Sequence, residues 1–477
     1  MKKTLLFTMM FICIFSIQGT VLAGKLSVKN GIYIEPYLQN PGRNTMTILW
    51  WTNEKCAENF VEYGSGKTLL KSKASNEYVP SMKKYLHEVH LTKLASAALY
   101  KYRVHSDAYA SKQYTFRTAV AADKGFSVAI IGDGRTDNDK VIKRHRRILE
   151  QAGKCDIIFE IGDMVYDGSA KHWLRLFRQV LTASDPAAPG STVASNKPYL
   201  MAVGNHEIYM REKEEYAPKK IEGRYSGGGL HTSMARFKAF AANPANNSKN
   251  SHWEERYYAF KYGAATFIVL DTNNTADDKY DNHDLLGDAD TPSWHPGSEQ
   301  YKWLIKQLKK ARGQSVFTFV LFHPSPYSRG VHGTAFAKID QQRGYELRIL
   351  DPLFREYGVD AVISSHDHHV EHCLTGPGGF HKKMDVADPK NLNYIAMGNS
   401  GHSSRNAKKG WEKWMTIPGS GGKAFYTKWY YKWGGDNSLA SFVEIQIKNN
   451  NDGTFTAVFE IVRSDGKRFN KFSIKRQ

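Results

Sequence analysis

Five short polar clusters, each closing an apolar run, hold the residues of this chain best suited to chemistry. In order they are Gly132-Asp133, Gly162-Asp163-Met164-Val165-Tyr166, Gly204-Asn205-His206-Glu207, Phe322-His323 and His366-Asp367-His368. They combine hard carboxylate and amide oxygens, imidazoles and a phenol. That donor set suits a pair of metal ions, whereas a structural zinc site is a closed tetrahedron of thiolates and imidazoles. Asp133 and Asp163 supply hard oxygens, and one carboxylate can bridge two cations through its two oxygens. Asn205 adds a neutral amide oxygen, which limits the negative charge of the site. His323, His366 and His368 offer imidazole, the common ligand for iron, zinc and manganese. Tyr166 is the unusual member. A phenol titrates at about 10 in water, so only a strongly acidic cation such as ferric iron would hold it as phenolate at neutral pH.

The runs that carry these clusters, FSVAII, CDIIFEI, PYLMAV, VFTFVLF and VDAVISS, read as buried strands. A parallel sheet gathers such strand ends along one edge, where open α/β folds bind ligands. From Phe126 onward the strands alternate with amphipathic helical patterns: DKVIKRHRRILEQAG, KHWLRLFRQVL, SEQYKWLIKQLKKARG and YELRILDPLFREYG. That rhythm predicts parallel pairing with helices packed over the sheet. The polar segment from Met210 to Tyr257 reads as a long surface excursion and a candidate substrate rim. After Gly398 the pattern returns to strands, with a hairpin turn at Asn451-Asp452-Gly453, added to the same unit. Ahead of it, about Lys25 to Ala122, lie short, alternating, aromatic segments separated by turns, which predict a small antiparallel sandwich. No ligand cluster stands out there.

At 477 residues, with 41% hydrophobic residues, the chain has room for two or three packed units. Lys2 and Lys3, an apolar stretch from Leu5 to Ile17 and Val21-Leu22-Ala23 describe a secretory signal cut after Ala23. The stretch is short of the roughly 20 residues of a bilayer span, and no later run is long and apolar enough for one. The expectation is a secreted or periplasmic protein with no membrane attachment after cleavage. Cys13 leaves with the signal; Cys56, Cys155 and Cys373 remain, without a close Cys-x-x-Cys spacing, so the fold is not built on disulfides. Cys155, inside its apolar run, reads as a buried small hydrophobe. A net charge of +19 biases the surface toward anions. The Lys and Arg residues are dispersed, with no basic arm or zinc-finger spacing. This argues against a dedicated nucleic-acid binder and agrees with phosphorylated substrates.

The order GD, GDxxY, GNHE, a strand ending in His, then HxH resembles the calcineurin-like metallophosphoesterases. Tyr166 in GDMVY points within them to the purple acid phosphatases. The resemblance implies an α/β fold, a metallophosphoesterase β-sandwich flanked by helices, preceded by a fibronectin type III-like domain. Its divisions here would be a signal peptide over 1–23, the all-β domain over 24–122 and the catalytic domain over 123–477, including C-terminal strands over 404–477. On the family pattern Asp133, Tyr166 and His368 would hold a ferric ion and Asp163 would bridge. Asn205, His323 and His366 would hold a divalent iron, zinc or manganese. His206 and His332 match the family's substrate-contacting histidines and are the candidate catalytic residues. The implied activity is an acid phosphatase: metal-bound hydroxide attacks a phosphate monoester, small-molecule or phosphoprotein. The chain departs from the pattern twice. Arg135 stands where the wider superfamily places a ligating His, free to contact phosphate or to face away, and Ser365 replaces a usual Gly. The alternatives are a phosphodiesterase or nucleotide pyrophosphatase, or a non-catalytic phosphate- or glycan-binding surface protein.

Overall fold

The computed structural model describes residues 31–186, 191–210, 219–221, 224–226, 228–273, 291–333, 344–376, 385–402, 405–406, 409, 426–431 and 440–477. The expected signal segment, residues 1–23, lies outside the described residues.

The first part of the chain forms two antiparallel sheets. One runs in the order Ile32–Gln39, Met46–Thr52, Lys84–Leu91, Glu77–Val79. The other runs Leu70–Lys73, Asn59–Gly64, Leu99–Ser106, with Tyr109–Ala110 and Tyr114–Arg117 both paired to Leu99–Ser106. Side chains of a strand alternate between faces, and the neighbours Trp50 and Trp51 are both fully buried on opposite sides. Trp50 joins Ile48, Val61, Tyr102, Val104 and Phe116 inside the sandwich. Trp51 joins Tyr37, Phe177 and Phe240 in a core shared with the rest of the chain, its ring centroid 4.7 Å from that of Phe240.

The five ligand-bearing strands are β1 (Phe126–Ile131), β2 (Ile157–Ile161), β3 (Tyr199–Ala202), β4 (Phe317–Pro324) and β5 (Ala361–Ser365). The sequence places their ends along one sheet edge; the structure divides them between two sheets. The first sheet has the order β3, β2, β1, Ser441–Asn449, Phe455–Arg463, Arg468–Arg476. Its ligand strands are parallel, and Ser441–Asn449 joins β1 antiparallel. The second has the order Tyr258–Tyr262, Ala265–Val269, β4, β5, Leu392–Met397, Val370–Thr375, Tyr426–Tyr431. Val128, Ile130, Phe159 and Ile161 of the first sheet pack against Phe267, Phe319 and Ile363 of the second. Both faces of every ligand strand are therefore apolar, so the sequence pattern of one buried parallel sheet and of two stacked sheets is the same. Ala129, Ile131 and Ile158 point the other way, toward Ile142, Ile148 and Leu149 of the helix Asp139–Ala152. On the far side of the second sheet Ile268, Val320 and Val362 meet Leu304 and Leu308 of the helix Glu299–Gln314. The result is two sheets stacked between helices, the mixed α/β architecture the sequence implied.

Local signals explain the helix ends. Asn138 caps Asp139–Ala152 by accepting from the backbone N–H groups of Lys140 and Val141. YELRILDPLFREYG is not one helix but a 3-10 turn, Gly344–Leu350, followed by a helix, Asp351–Glu356. Pro352 lacks an N–H and starts the second element. The reading of Met210 to Tyr257 as a surface excursion is also corrected in part. Gly228–Phe240 is a helix, and Met234, Phe237, Phe240, Ala241 and Ala242 enter the shared core. The flanking glycines and polar residues masked an apolar 3–4 spacing in the sequence. The C-terminal strands pair through the predicted turn at Asn451-Asp452-Gly453 and extend the first sheet. Cys56, Cys155 and Cys373 are buried and form no disulfide among the described residues, and no described helix is long and apolar enough to cross a membrane.

Candidate metal centre

Three of the five ligand strands, β1, β2 and β5, end in residues whose backbone turns sharply. Asp133 (φ +56°), Asp163 (+55°), His366 (+71°) and His368 (+53°) all occupy the left-handed region, as does Arg135 (+63°). For residues with a Cβ this conformation costs about 1–2 kcal/mol each, and such strain clusters at functional sites. Here it turns side chains from both sheets toward one buried point.

Two overlapping groups of candidate ligands result: Asp163, His323 and His366, and Asp133, Asp163 and His368, with donor atoms within 4.8 Å of one another in each. Asp163 belongs to both. His323 Nδ1 donates to the carbonyl of Ile161 at 2.9 Å, which points Nε2 into the site. Burial opposes charge on the ring, but Asp163 and Asp133 raise the imidazole to about 9, so a cation binding there displaces a proton. Nε2 lies 3.2 Å from Asp163 Oδ1 and 3.0 Å from His366 Nδ1. Asp133 Oδ2 accepts from the backbone N–H of His366 at 2.7 Å. Its Oδ1 lies 3.1 Å from His368 Nε2, yet it is buried and receives no well-aligned hydrogen bond. Asn205 Oδ1 is likewise buried without a hydrogen-bond partner. Orphaned buried oxygens are uncommon in folded proteins, and oxygen and imidazole donors converging on a point are what hard and borderline cations require. The residues therefore fit a two-cation centre.

The electrostatics of the remaining ligands are set by burial and by their charged neighbours. Burial raises the Asp133 carboxyl to about 7, opposed by His323 and reinforced by the charge of Asp163. For Asp163 burial acts in the same sense, but His206, His323 and Arg135 outweigh it and hold the carboxyl well below its usual range. Burial, with Arg405, His402 and Arg135, holds His368 well below the ordinary imidazole value, so it is neutral with a lone pair to offer.

The other predicted residues fall around this cluster. The backbone N–H of His206 donates to Asp163 Oδ1 at 3.0 Å. His206 Nδ1 donates to the carbonyl of Tyr166 at 2.5 Å, and its Nε2 accepts from Arg135 Nη1 at 2.5 Å. The Tyr166 ring sits beside His172 and His206, with centroids 5.1 and 6.4 Å away. His332 packs against His366 with ring centroids 3.6 Å apart, and its Nε2 accepts from Arg405 Nη1 at 3.1 Å. Ser365 Oγ lies 2.8 Å from His323 Nδ1 and 3.0 Å from the Ile161 carbonyl. It sits where the His323 ring is oriented. Arg135 faces into the site, not away from it.

Several contributors were not singled out from the sequence. The Glu207 carboxylate accepts from the N–H groups of Asp163 (2.9 Å), Met164 (2.8 Å), Val165 (3.2 Å) and Gly204 (2.7 Å), tying two ligand loops together. Asp367 receives the backbone N–H of His332 at 2.9 Å. His402 Nδ1 lies 2.9 Å from His368 Nδ1, and its Nε2 lies 3.4 Å from Asp137 Oδ2. Gly398-Asn399-Ser400-Gly401-His402 follows the strand Leu392–Met397. It is a sixth strand-end cluster that the rule applied to the other five would have found.

Two family models match the chain: Purple acid Phosphatase, N-terminal domain, over residues 34–118, and Calcineurin-like phosphoesterase over residues 117–370. Human acid phosphatase type 7 is 24% identical over 421 residues, covering 82% of this chain and 83% of the relative. Among solved structures, a purple acid phosphatase from yellow lupin seeds superposes with a TM-score of 0.66 at 18% identity, covering 94% of this chain and 75% of that one. PhoD superposes with a TM-score of 0.61 at 13% identity, covering 94% of each chain. Stacked sheets, left-handed ligand turns and the shared Asp163 thus meet a family match spanning more than half of the sequence. The chain belongs to the calcineurin-like phosphoesterase family and carries ahead of that domain the N-terminal domain of purple acid phosphatases.

Proposed function

We propose that this chain is a secreted or periplasmic acid phosphatase that hydrolyses phosphate monoesters at a binuclear centre, ferric iron plus divalent iron, zinc or manganese. The observation that carries it is Asp163, which belongs to two ligand groups at once while Oδ1 of Asn205 and Oδ1 of Asp133 nearby are buried without hydrogen-bond partners. In this reading Asp133, Tyr166 and His368 would hold the ferric ion, Asn205, His323 and His366 would hold the divalent one, and Asp163 would serve both. Residues 1–23 are the signal peptide, 24–122 a fibronectin-like domain and 123–477 the catalytic domain.

The cations, when bound, polarise the phosphoryl group and lower the pKa of water to give a nucleophile at modest pH. The chain's own groups do the rest. His323 and His368 are locked by the Ile161 carbonyl and by His402, so the donor set is preorganised and costs little reorganisation. His206 Nε2 accepts from Arg135, so its proton sits on Nδ1, committed to the Tyr166 carbonyl. His206 therefore acts by positioning Arg135 and, through its backbone N–H, Asp163. His332 accepts from Arg405 at Nε2, which places its proton on Nδ1. To protonate the departing alkoxide, His332 would first have to take up a second proton at Nε2 in place of the Arg405 contact, since only the imidazolium is an acid of suitable strength below neutrality.

Protein reconstituted with iron should hydrolyse an aryl phosphate, fastest at acidic pH, and Asp163→Asn should lose at least about a hundredfold in kcat/KM. Equal rates in the two proteins would remove this reading. Elemental analysis finding no metal after iron reconstitution would favour a phosphate- or glycan-binding protein instead.

A further inference from the structure

Arg135 has no place in the ligand set, yet its side chain is turned into the site and only 4% exposed. Asp137 holds one edge of the guanidinium, with Nε donating to Oδ1 at 3.1 Å and Nη2 to Oδ2 at 3.5 Å. The remaining nitrogen, Nη1, faces Asp163 Oδ2 at 3.3 Å and His206 Nε2 at 2.5 Å. The Tyr166 ring centroid lies 5.6 Å from the guanidinium carbon. A guanidinium stays charged even when buried, and its planar fork matches phosphoryl oxygens.

The consequence rests on the phosphoesterase reading above. There Asp163 would hold cations, and the Nη1 hydrogen that now faces its Oδ2 would be left to direct at the reacting group. A phosphate monoester has three non-bridging oxygens. Cations held by the Asp163 ligand groups would supply charge to the phosphoryl oxygens, and an oxygen they leave uncovered would need a donor beside Asp163, which is where Nη1 lies. A diester carries a second ester group in place of one of these oxygens, with less charge and a carbon substituent that would meet the guanidinium. We propose that Arg135 Nη1 hydrogen-bonds that uncovered non-bridging oxygen of the substrate phosphoryl group and so selects monoesters over diesters. Asp137 and His206 are then positioning residues, one anchoring the fork and the other aiming its free edge.

The test compares wild type, Arg135→Ala and Arg135→Lys, each reconstituted with metal and its content measured. Orthophosphate binding is followed by calorimetry, and turnover with an aryl phosphate and its diaryl analogue. Loss of a charged hydrogen bond predicts that Arg135→Ala binds orthophosphate about tenfold or more weakly. Its monoester-to-diester ratio of kcat/KM should fall by a similar factor, with Arg135→Lys between the two. A metal-replete Arg135→Ala protein with wild-type phosphate affinity, or an unchanged ratio, overturns the proposal. Should Arg135→Ala lose metal, Asp137→Asn, which keeps the guanidinium but frees it, should show a smaller loss in the same direction; no loss overturns the proposal equally. A wild-type protein that turns over neither ester defeats the enzymatic reading by itself. The calorimetric difference would still decide whether Arg135 holds phosphate.

Discussion

A buried carboxylate facing His206, His323 and Arg135 keeps its negative charge, and Asp163 is so placed that it belongs to both ligand groups. Around it the residue types were legible in the sequence because each sits at a strand end, where a side chain is aimed by the backbone alone. The partners that orient them were not. The pairing of His323 with the Ile161 carbonyl spans 162 positions, and that of His366 with Asp133 spans 233. Tyr166 yields a test at this scale. If its phenolate binds ferric iron, the reconstituted protein absorbs in the visible, and Tyr166→Phe abolishes that band while the metal content measured by elemental analysis stays at the wild-type level. A band of wild-type intensity in the variant excludes Tyr166 as the ligand.

At the scale of elements, the turns that leave β2 and β3 decide whether the ligands meet. Gly162 has φ +89°, and a Cβ there would lie 2.6 Å from His323 Nδ1 and 2.8 Å from the Cα of Gly204. The position therefore demands glycine on two independent grounds, backbone conformation and contact with two other ligand loops. Gly162→Ala should cost about 2–4 kcal/mol in unfolding free energy and lower the bound metal well below wild type. Chemical denaturation and elemental analysis read the two effects; a variant unchanged in both contradicts the structure at this turn. The strands themselves were evident from their apolar runs. Their division between two sheets was not, because a strand covered on both faces reads the same whether a helix or a second sheet covers it. The helix Gly228–Phe240 was missed for a related reason: its apolar residues are spaced for a helix but diluted by glycine and polar neighbours.

Over the whole molecule, the N-terminal sandwich and the phosphoesterase sheets share a core through Trp51, Tyr37, Phe177 and Phe240, so neither surface is complete alone. Beside that joint is a cavity of about 550 Å³ lined by Val79, Leu86, Ala239 and the acidic Glu77, Glu88 and Glu255. Lys238, also there, donates instead to the Ser251 carbonyl at 2.7 Å. Burial, then the charge of Glu88, raises the Glu255 carboxyl from 4.5 to about 7. The folded state thus holds this proton more tightly than the unfolded one. The joint is unstrained below about pH 4.5 and loses stability as pH rises toward about 7. Glu255→Gln should raise the thermal midpoint by a few degrees at about pH 8 and leave it unchanged at about pH 4. An equal shift at both pH values would assign the effect to packing and not to charge. The sequence by itself determined the candidate donor residues, their order and the family, because these depend on residue type and on the local end of each strand. Only the tertiary structure decided that five strand ends from two sheets converge on Asp163, and that Arg135 points inward. Both depend on contacts between residues far apart in the chain, which periodicity and composition do not encode.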